Sequence, residues 1–378
     1  MISVLVVDDS VVVRRLIVDA LGGAPDITVA GTAANGLLAQ AKIDQLKPDV
    51  VTMDIEMPQM DGITAVKQLR KRHPHLPVIM FSTLSDAGAS ATLEALAAGA
   101  TDYVTKPSNI GSIAESIAAV RDQLVPKIRD LAEQPRAAAR TVGPVRPASP
   151  AHRPPPGGVP THVAAAPARP SVPPRPGRAG RVDVLAIGAS TGGPDALARV
   201  LTALPTDLAV PIVVTQHMPP VFTRMFAERL NRSTPLRVVE AADGMELAPG
   251  TVYIAPGDRH LVLHRRGIVA VTQLSGAPPE NSCRPAVDVM FRSVAAFYGP
   301  AVYAAVLTGM GQDGRSGAKV LRDAGADVLA QDEATSVVWG MPGAVVAAGL
   351  ATEVLPLDKI APALVSRVKV GRSAAVVR

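Results

Sequence analysis

A single cysteine, Cys283, stands in a chain of 378 residues. That excludes a disulfide framework and any multi-thiolate metal site. Aromatic residues are scarce too, at 3%, so the cores must be built from Ala, Val, Leu and Ile. No apolar run reaches the roughly 18 residues needed to span a bilayer. The opening Met1-Ile2-Ser3-Val4-Leu5-Val6-Val7 meets Asp8 and Asp9 at once, without the basic region and cleavage site of a signal peptide. These absences lead us to expect a soluble, cytoplasmic protein with no membrane insertion. Acidic residues are missing from one long stretch. Between Gln134 and Gly180 stand seven arginines (136, 140, 146, 153, 169, 175 and 178) and no Asp, Glu or Lys. Taking those seven charges from the net +5 leaves −2 for the rest. The basic balance therefore belongs to one segment, and no nucleic acid is expected as a partner of a folded domain.

The same stretch holds thirteen of the 35 prolines, including Pro154-Pro155-Pro156 and Pro173-Pro174. Proline removes backbone donors and large apolar side chains are few there, so the stretch cannot form a core. We expect a disordered Pro/Arg-rich linker over 134–180, with folded domains at 1–133 and 181–378. Hydrophobic residues make up 48% of the chain, enough for ordinary buried cores in both.

In the first domain, short apolar runs at 4–7, 27–30, 50–53, 78–81 and 101–104 predict five strands covered on both faces. They alternate with helical patterns at 12–21, 36–46, 63–71, 89–98 and 110–124. This alternation implies a parallel, doubly wound (βα)5 sheet of flavodoxin-like type, whose ligands bind beyond the strands' carboxyl ends. Those ends carry Asp8 and Asp9, Asp54, Ser82 and Thr83, and Lys106. Clustered carboxylates are costly unless a cation compensates them, and oxygen ligands of this kind suit Mg2+. A lysine and a hydroxyl nearby suit a dianionic group transferred onto one carboxylate.

Val-Asp-Asp-Ser at 7–10, Met-Asp-Ile-Glu-Met-Pro-Gln-Met-Asp-Gly at 53–62 and Lys-Pro at 106–107 closely resemble a response-regulator receiver domain over about 1–125. The resemblance implies that Asp54 is the phospho-acceptor, that Asp8 and Asp9 hold Mg2+ with it, and that Lys106 contacts the phosphate. It makes Ser82 the switch hydroxyl, with Thr83 as the alternative.

The second domain opens with an apolar strand at 182–187, then Gly188-Ala189-Ser190-Thr191-Gly192-Gly193-Pro194 and a helical pattern at 196–204. Gly-x-Ser-x-Gly fits a sharp strand-to-helix turn that exposes a nucleophilic serine. The same turn is one substitution from a dinucleotide fingerprint, which expects an acid at the end of the next strand. That strand, 211–215, ends in Gln216-His217 instead. Among seven histidines, His152 and His162 fall in the linker and His73 and His75 flank a turn. His260 and His264 fall in 253–274, whose alternation and glycine turns read as β-structure and a hairpin region. His217 remains, 27 residues after Ser190 and at an equivalent strand end. Two acids follow predicted strands, Asp313 after 302–307 and Asp332 after 328–331. The glycine-rich loop around Asp313 permits closer approach, but position alone leaves both open. A triad of this kind rests on geometry and role rather than on chain order. Backbone N–H groups at Thr191 or in the Met310 loop are candidates for an oxyanion hole. The expected fold is a doubly wound, mostly parallel α/β hydrolytic domain.

Gly-Ala-Ser-Thr-Gly-Gly-Pro at 188–194, Gln-His-Met-Pro at 216–219, Gly-Met-Gly-Gln-Asp-Gly at 309–314 and Trp-Gly-Met-Pro at 339–342 resemble the chemotaxis protein-glutamate methylesterase family. The resemblance implies Ser190, His217 and Asp313 as the catalytic residues, and leaves Asp332 a structural role. It implies hydrolysis of glutamate methyl esters on methyl-accepting chemoreceptors, with release of methanol, and deamidation of receptor glutamines. It further implies a chemotaxis histidine kinase as phosphodonor, no cofactor for the esterase step, and a receiver that covers the active site until phosphorylated.

Overall fold

In the computed structural model, residues 1–107, 112–133 and 180–370 are described. The first unit runs β1 (Ile2–Val7), α1 (Val11–Gly22), β2 (Ile27–Ala33), α2 (Gly36–Leu46) and β3 (Val50–Asp54). It continues α3 (Gly62–Arg72), β4 (Val78–Ser82), α4 (Asp86–Ala97), β5 (Asp102–Thr105) and α5 (Ile113–Glu133). Its strands pair in parallel in the order β2-β1-β3-β4-β5. Polar residues fix where the helices start: the side chains of Asn35, Asp61 and Ser85 accept the N–H groups of Leu38, Thr64 and Gly88, satisfying donors the first turn leaves free.

The expected helix over 110–124 required correction. Positions 110 and 111 lie outside the described residues, and α5 runs nine residues further, through Pro126 to Glu133. A proline inside a helix costs about 3 kcal/mol. Val125, Ile128 and Leu131 are all buried beyond the expected end, each contributing about 1.5–3 kcal/mol, and together they outweigh that cost. The linker expected over 134–180 falls, up to residue 179, outside the described residues.

The second unit begins β6 (Val184–Ala189), α6 (Gly193–Thr202), β7 (Ile212–Gln216), α7 (Pro220–Ser233), β8 (Arg237–Glu240) and β9 (Thr251–Ile254). A hairpin of β10 (His260–Arg266) and β11 (Val269–Ser275) follows, then α8 (Val287–Tyr298) and β12 (Val302–Val306). The chain closes with α9 (Arg315–Asp323), β13 (Asp327–Gln331), α10 (Met341–Ala347), β14 (Glu353–Leu355) and α11 (Leu357–Lys369). Seven strands form a parallel sheet in the order β14-β13-β12-β6-β7-β9-β8. The hairpin stands apart as the only antiparallel sheet among the described residues. The helix expected over 196–204 starts three residues earlier, at Gly193, with Pro194 in its first turn, where a missing N–H costs nothing. Among the described residues no helix is long and apolar enough to cross a membrane.

Successive strands go one way from β6 (β7 and beyond) and later the other way (β12 and beyond). Beside β6 the strand order reverses, and such a switch point opens a crevice at the strands' carboxyl ends. The receiver-like unit lies against this end. Tyr103 of β5 stacks on Phe222 of α7, with ring centroids 4.7 Å apart and planes 4° from parallel. Val338, with Met310 and Val337 beside it, joins the apolar cluster of Val125, Ile128 and Leu131 on α5. Asp86 pairs with Arg224 at 2.8 Å.

Candidate active site

At the carboxyl edge of the first sheet, Asp8 and Asp9 follow β1, Asp54 ends β3 and Lys106 follows β5. The carboxylate oxygens of the three acids lie within 4.8 Å of one another. Lys106 Nζ is 2.7 Å from Asp54 Oδ1 and 3.2 Å from Asp8 Oδ2. Burial raises the Asp8 carboxyl. Burial, reinforced by the Asp8 charge and opposed by Lys106, pushes Asp54 up to about 6. Asp8 Oδ2 is buried, with the Lys106 ion pair as its contact. One lysine does not balance this much carboxylate charge. The all-oxygen donor set, with Asp9 exposed to water, is consistent with a Mg2+ site, since that ion keeps several waters.

Ser82 is buried, and its Oγ donates to Gly88 O at 3.1 Å and accepts from Thr92 Oγ1 at 2.6 Å. That hydroxyl is tied to α4. Thr83 is exposed, with Oγ1 3.1 Å from Ser85 Oγ.

The second crevice collects the other sequence-predicted residues. Ser190 follows β6, His217 follows β7 and Asp313 lies in the loop after β12. These three strands are neighbours in the sheet. His217 Nε2 is 2.9 Å from Asp313 Oδ2. Asp313 is 2% exposed and accepts four further N–H groups. They come from Val287 at 2.6 Å, Asp288 at 3.0 Å, Gly314 at 3.0 Å and Asn281 Nδ2 at 3.0 Å. Burial alone would raise this carboxyl, but His217 and the backbone donors at the start of α8 outweigh it and hold it below its ordinary value. Burial likewise opposes charge on His217, yet the Asp313 bond and the Cys283 sulfur raise it to about 9. Asp332 follows β13, one strand further from β6. Its carboxylate caps a local turn by accepting Thr335 N and Oγ1 at 3.0 and 2.6 Å.

The turn after β6 depends on small residues. Gly192 has φ +74°, and a Cβ on Gly309 would lie 2.9 Å from Ser190 Cβ and 2.4 Å from Met341 Sδ. Glycine at 309 lets the Met310 loop pass close against the serine, and glycine at 192 supplies the left-handed turn and leaves room for Val337. Among the described residues, neither the Thr191 nor the Met310 backbone N–H is given to an acceptor, so both remain available to an oxyanion. Gln216 Nε2 holds Ser190 O at 3.0 Å.

Ser190 and His217 line one cavity of about 120 Å³, whose other walls include Asp102, Tyr103 and Lys127 of the first unit. Among the described residues no hydrogen bond joins the serine and histidine side chains, a contact that commonly tightens only with substrate. Sequence reasoning missed three neighbours. Asp102 Oδ2 accepts Thr191 Oγ1 at 2.8 Å and Lys127 Nζ at 2.5 Å. Asn281 holds Asp313, and Cys283 Sγ lies 3.5 Å from His217 Nδ1. The turn chemistry of Asn281-Ser282 was visible in the sequence. Nothing there marked Asp102, whose partner is 89 residues away.

A family model described as CheB methylesterase matches residues 185–364, and one described as response regulator receiver domain matches 4–118. A protein-glutamate methylesterase/protein-glutamine glutaminase of Nocardioides sp. is 53% identical over 370 residues, covering 97% of this chain and 95% of that protein. A protein of the same description from Trichodesmium erythraeum is 45% identical over 365 residues, covering 97% and 98%. The crystal structure of the Thermotoga maritima CheB methylesterase catalytic domain is 43% identical. It covers 50% of this chain and 99% of that one, with a TM-score of 0.48.

Proposed function

This chain belongs to the CheB methylesterase family, with a receiver domain ahead of the catalytic one, and from that premise we propose that Ser190, His217 and Asp313 form the hydrolytic triad of a receiver-controlled esterase. The activity is that of a protein-glutamate methylesterase and protein-glutamine glutaminase in chemotactic adaptation. We assign the receiver to 1–133 and the catalytic domain to 181–378, with the linker between them, in a protein of the cytoplasm.

The observation that carries the reading is the buried Asp313–His217 pair at the switch point, with Ser190 in the same small cavity. Asp313 takes the Nε2 proton side of the imidazole, which leaves Nδ1 as the base. Ser190 Oγ attacks the γ-carbonyl of a receptor glutamyl methyl ester while its proton passes to His217 Nδ1. The N–H groups of Thr191 and Met310 receive the developing oxyanion. Collapse expels methoxide, which takes the proton from His217 and departs as methanol, leaving an acyl-Ser190 ester. Water, deprotonated by His217, then attacks that ester, returning Ser190 and releasing glutamate. A receptor glutamine follows the same path with ammonia as the leaving group, since ester and primary amide differ only there.

The regulatory reading rests on what closes the cavity. Ligand pockets usually enclose about 300–1,000 Å³, whereas this one has about 120 Å³ and is walled by the receiver. A methylated segment of a chemoreceptor cannot reach Ser190 until Tyr103 leaves Phe222 and Asp102 releases Thr191. A chemotaxis histidine kinase would supply the phosphoryl group to Asp54. Asp8, Asp9 and Asp54 would hold Mg2+, which neutralises charge during that transfer, and Lys106 would contact the phosphate. Ser82, freed from Gly88 and Thr92, would turn to it. A fluorophosphonate tests the triad. It should label one serine, mapped to the peptide containing Ser190, and labelling should vanish in Ser190→Ala.

A further inference from the structure

Behind the triad lies a turn that the esterase reading does not use. Asn281 and Ser282 have φ of +52° and +61°, two consecutive non-glycine residues in the left-handed region. Glu280 N donates to Cys283 O at 3.1 Å and Cys283 N to Glu280 O at 2.9 Å. This is a two-residue hairpin turn of the kind that requires positive φ at both central positions. Serine there stores strain, of order 1–2 kcal/mol per left-handed residue, and strain of this kind persists where the surroundings over-determine the backbone. Here Arg292 of α8 grips Glu280 through two bonds, at 2.7 and 2.5 Å. The held turn delivers two contacts. Asn281 Nδ2 donates to Asp313 Oδ1 and Asp288 Oδ2, both at 3.0 Å. The half-buried Cys283 Sγ reaches His217 Nδ1 at 3.5 Å.

We propose that the Glu280–Cys283 turn positions the triad, with Asn281 fixing the acid and Cys283 holding the Nδ1 edge of the imidazole that must receive the Ser190 proton. The inference rests on the triad reading given above. With Nε2 committed to Asp313, the sulfur packs against the Nδ1 edge and fixes the plane of the ring. When Nδ1 takes the Ser190 proton, the sulfur is placed to accept the resulting N–H. The groups facing His217 are Asp313, Cys283 and, across the cavity, Asp102 of β5 and Lys127 of α5, with Asp288 and Glu280 behind Asn281. The sulfur therefore favours the imidazolium, in the same sense as the raised His217 value. Asn281 does the reverse, because a donor on Asp313 weakens that carboxylate's pull on the ring proton.

The test is the pH dependence of fluorophosphonate labelling of Ser190 in the full chain, with thermal melting to establish folding. Cys283→Ala should move the acid limb about one unit toward lower pH and lower the plateau about tenfold through loss of orientation. Cys283→Ser, whose hydroxyl still binds Nδ1, should restore the plateau. Asn281→Ala should move the limb the opposite way. Labelling at a residue other than Ser190 overturns the triad reading and this inference with it. Labelling at Ser190 with an unmoved limb in Cys283→Ala, or a plateau loss that serine does not restore, overturns the inference alone.

Discussion

Replacing Thr191 by valine probes the receiver's grip on the active site with little change in shape. Thr191 and Asp102 are 4% and 5% exposed, and the 2.8 Å bond between them crosses the domain boundary. Valine keeps the backbone N–H that an oxyanion needs and removes only the hydroxyl. In the covered state Asp102 loses one of three donors, keeping Lys127 Nζ and Tyr103 N. In the open state its carboxylate is hydrated and loses nothing. A hydrogen bond to a charged group contributes about 1.5–3 kcal/mol. With the other donors retained we take the lower end, about 1.5 kcal/mol, which is about tenfold in an equilibrium constant. When only the open fraction binds substrate, apparent affinity scales with that fraction. Basal kcat/KM for methanol release should therefore rise about tenfold, up to the ceiling of the fully open enzyme. The rate with phosphodonor should match wild type, so the stimulation ratio shrinks by the same factor. An unchanged ratio in a folded Thr191→Val protein would refute the reasoning, and so would equal losses with and without phosphodonor.

Other expectations follow from the same geometry. Ser190→Ala should fold and lose turnover by several orders of magnitude, because triad members act as a unit; a tenth of wild-type activity would exclude it as nucleophile. Asp313→Asn should cost about 10⁴ in kcat by imposing the wrong imidazole tautomer, while Asp332→Asn should show mainly a lowered melting temperature; rates and melts of both variants check the ranking. Asp54 is the phospho-acceptor in this reading, so phosphodonor stimulation should vanish in Asp54→Asn while basal methanol release is retained. Chelating Mg2+ should abolish stimulation and leave basal methanol release unchanged.

The alternation of apolar runs made the first sheet and strands β6, β7, β12 and β13 of the second legible, because strands covered on two faces need nearly continuous aliphatic sequence; the short edge strands β8 and β14 were not. Ser190 and His217 were legible for the same reason, as polar residues where such runs stop. The choice between Asp313 and Asp332 was not, since both follow strands. It turns on strand order: β12 adjoins β6 and β13 does not, a fact no spacing encodes. The expected end of α5 at 124 fell short, because the buried stripe of Val125, Ile128 and Leu131 carries the helix past Pro126. Asp102, Asn281 and Cys283 became visible only through contacts across long separations, which composition and periodicity do not register.

The central claim is that a Ser190 esterase is held shut by its own receiver and opened at Asp54. Methanol release from membranes carrying methylated chemoreceptors tests it most directly, using the full chain with Mg2+, with and without a small-molecule phosphodonor. The account predicts slow release that accelerates on adding the phosphodonor, and no acceleration in Asp54→Asn. Equal rates with and without phosphodonor in the wild-type chain, or release that persists in Ser190→Ala, would contradict it.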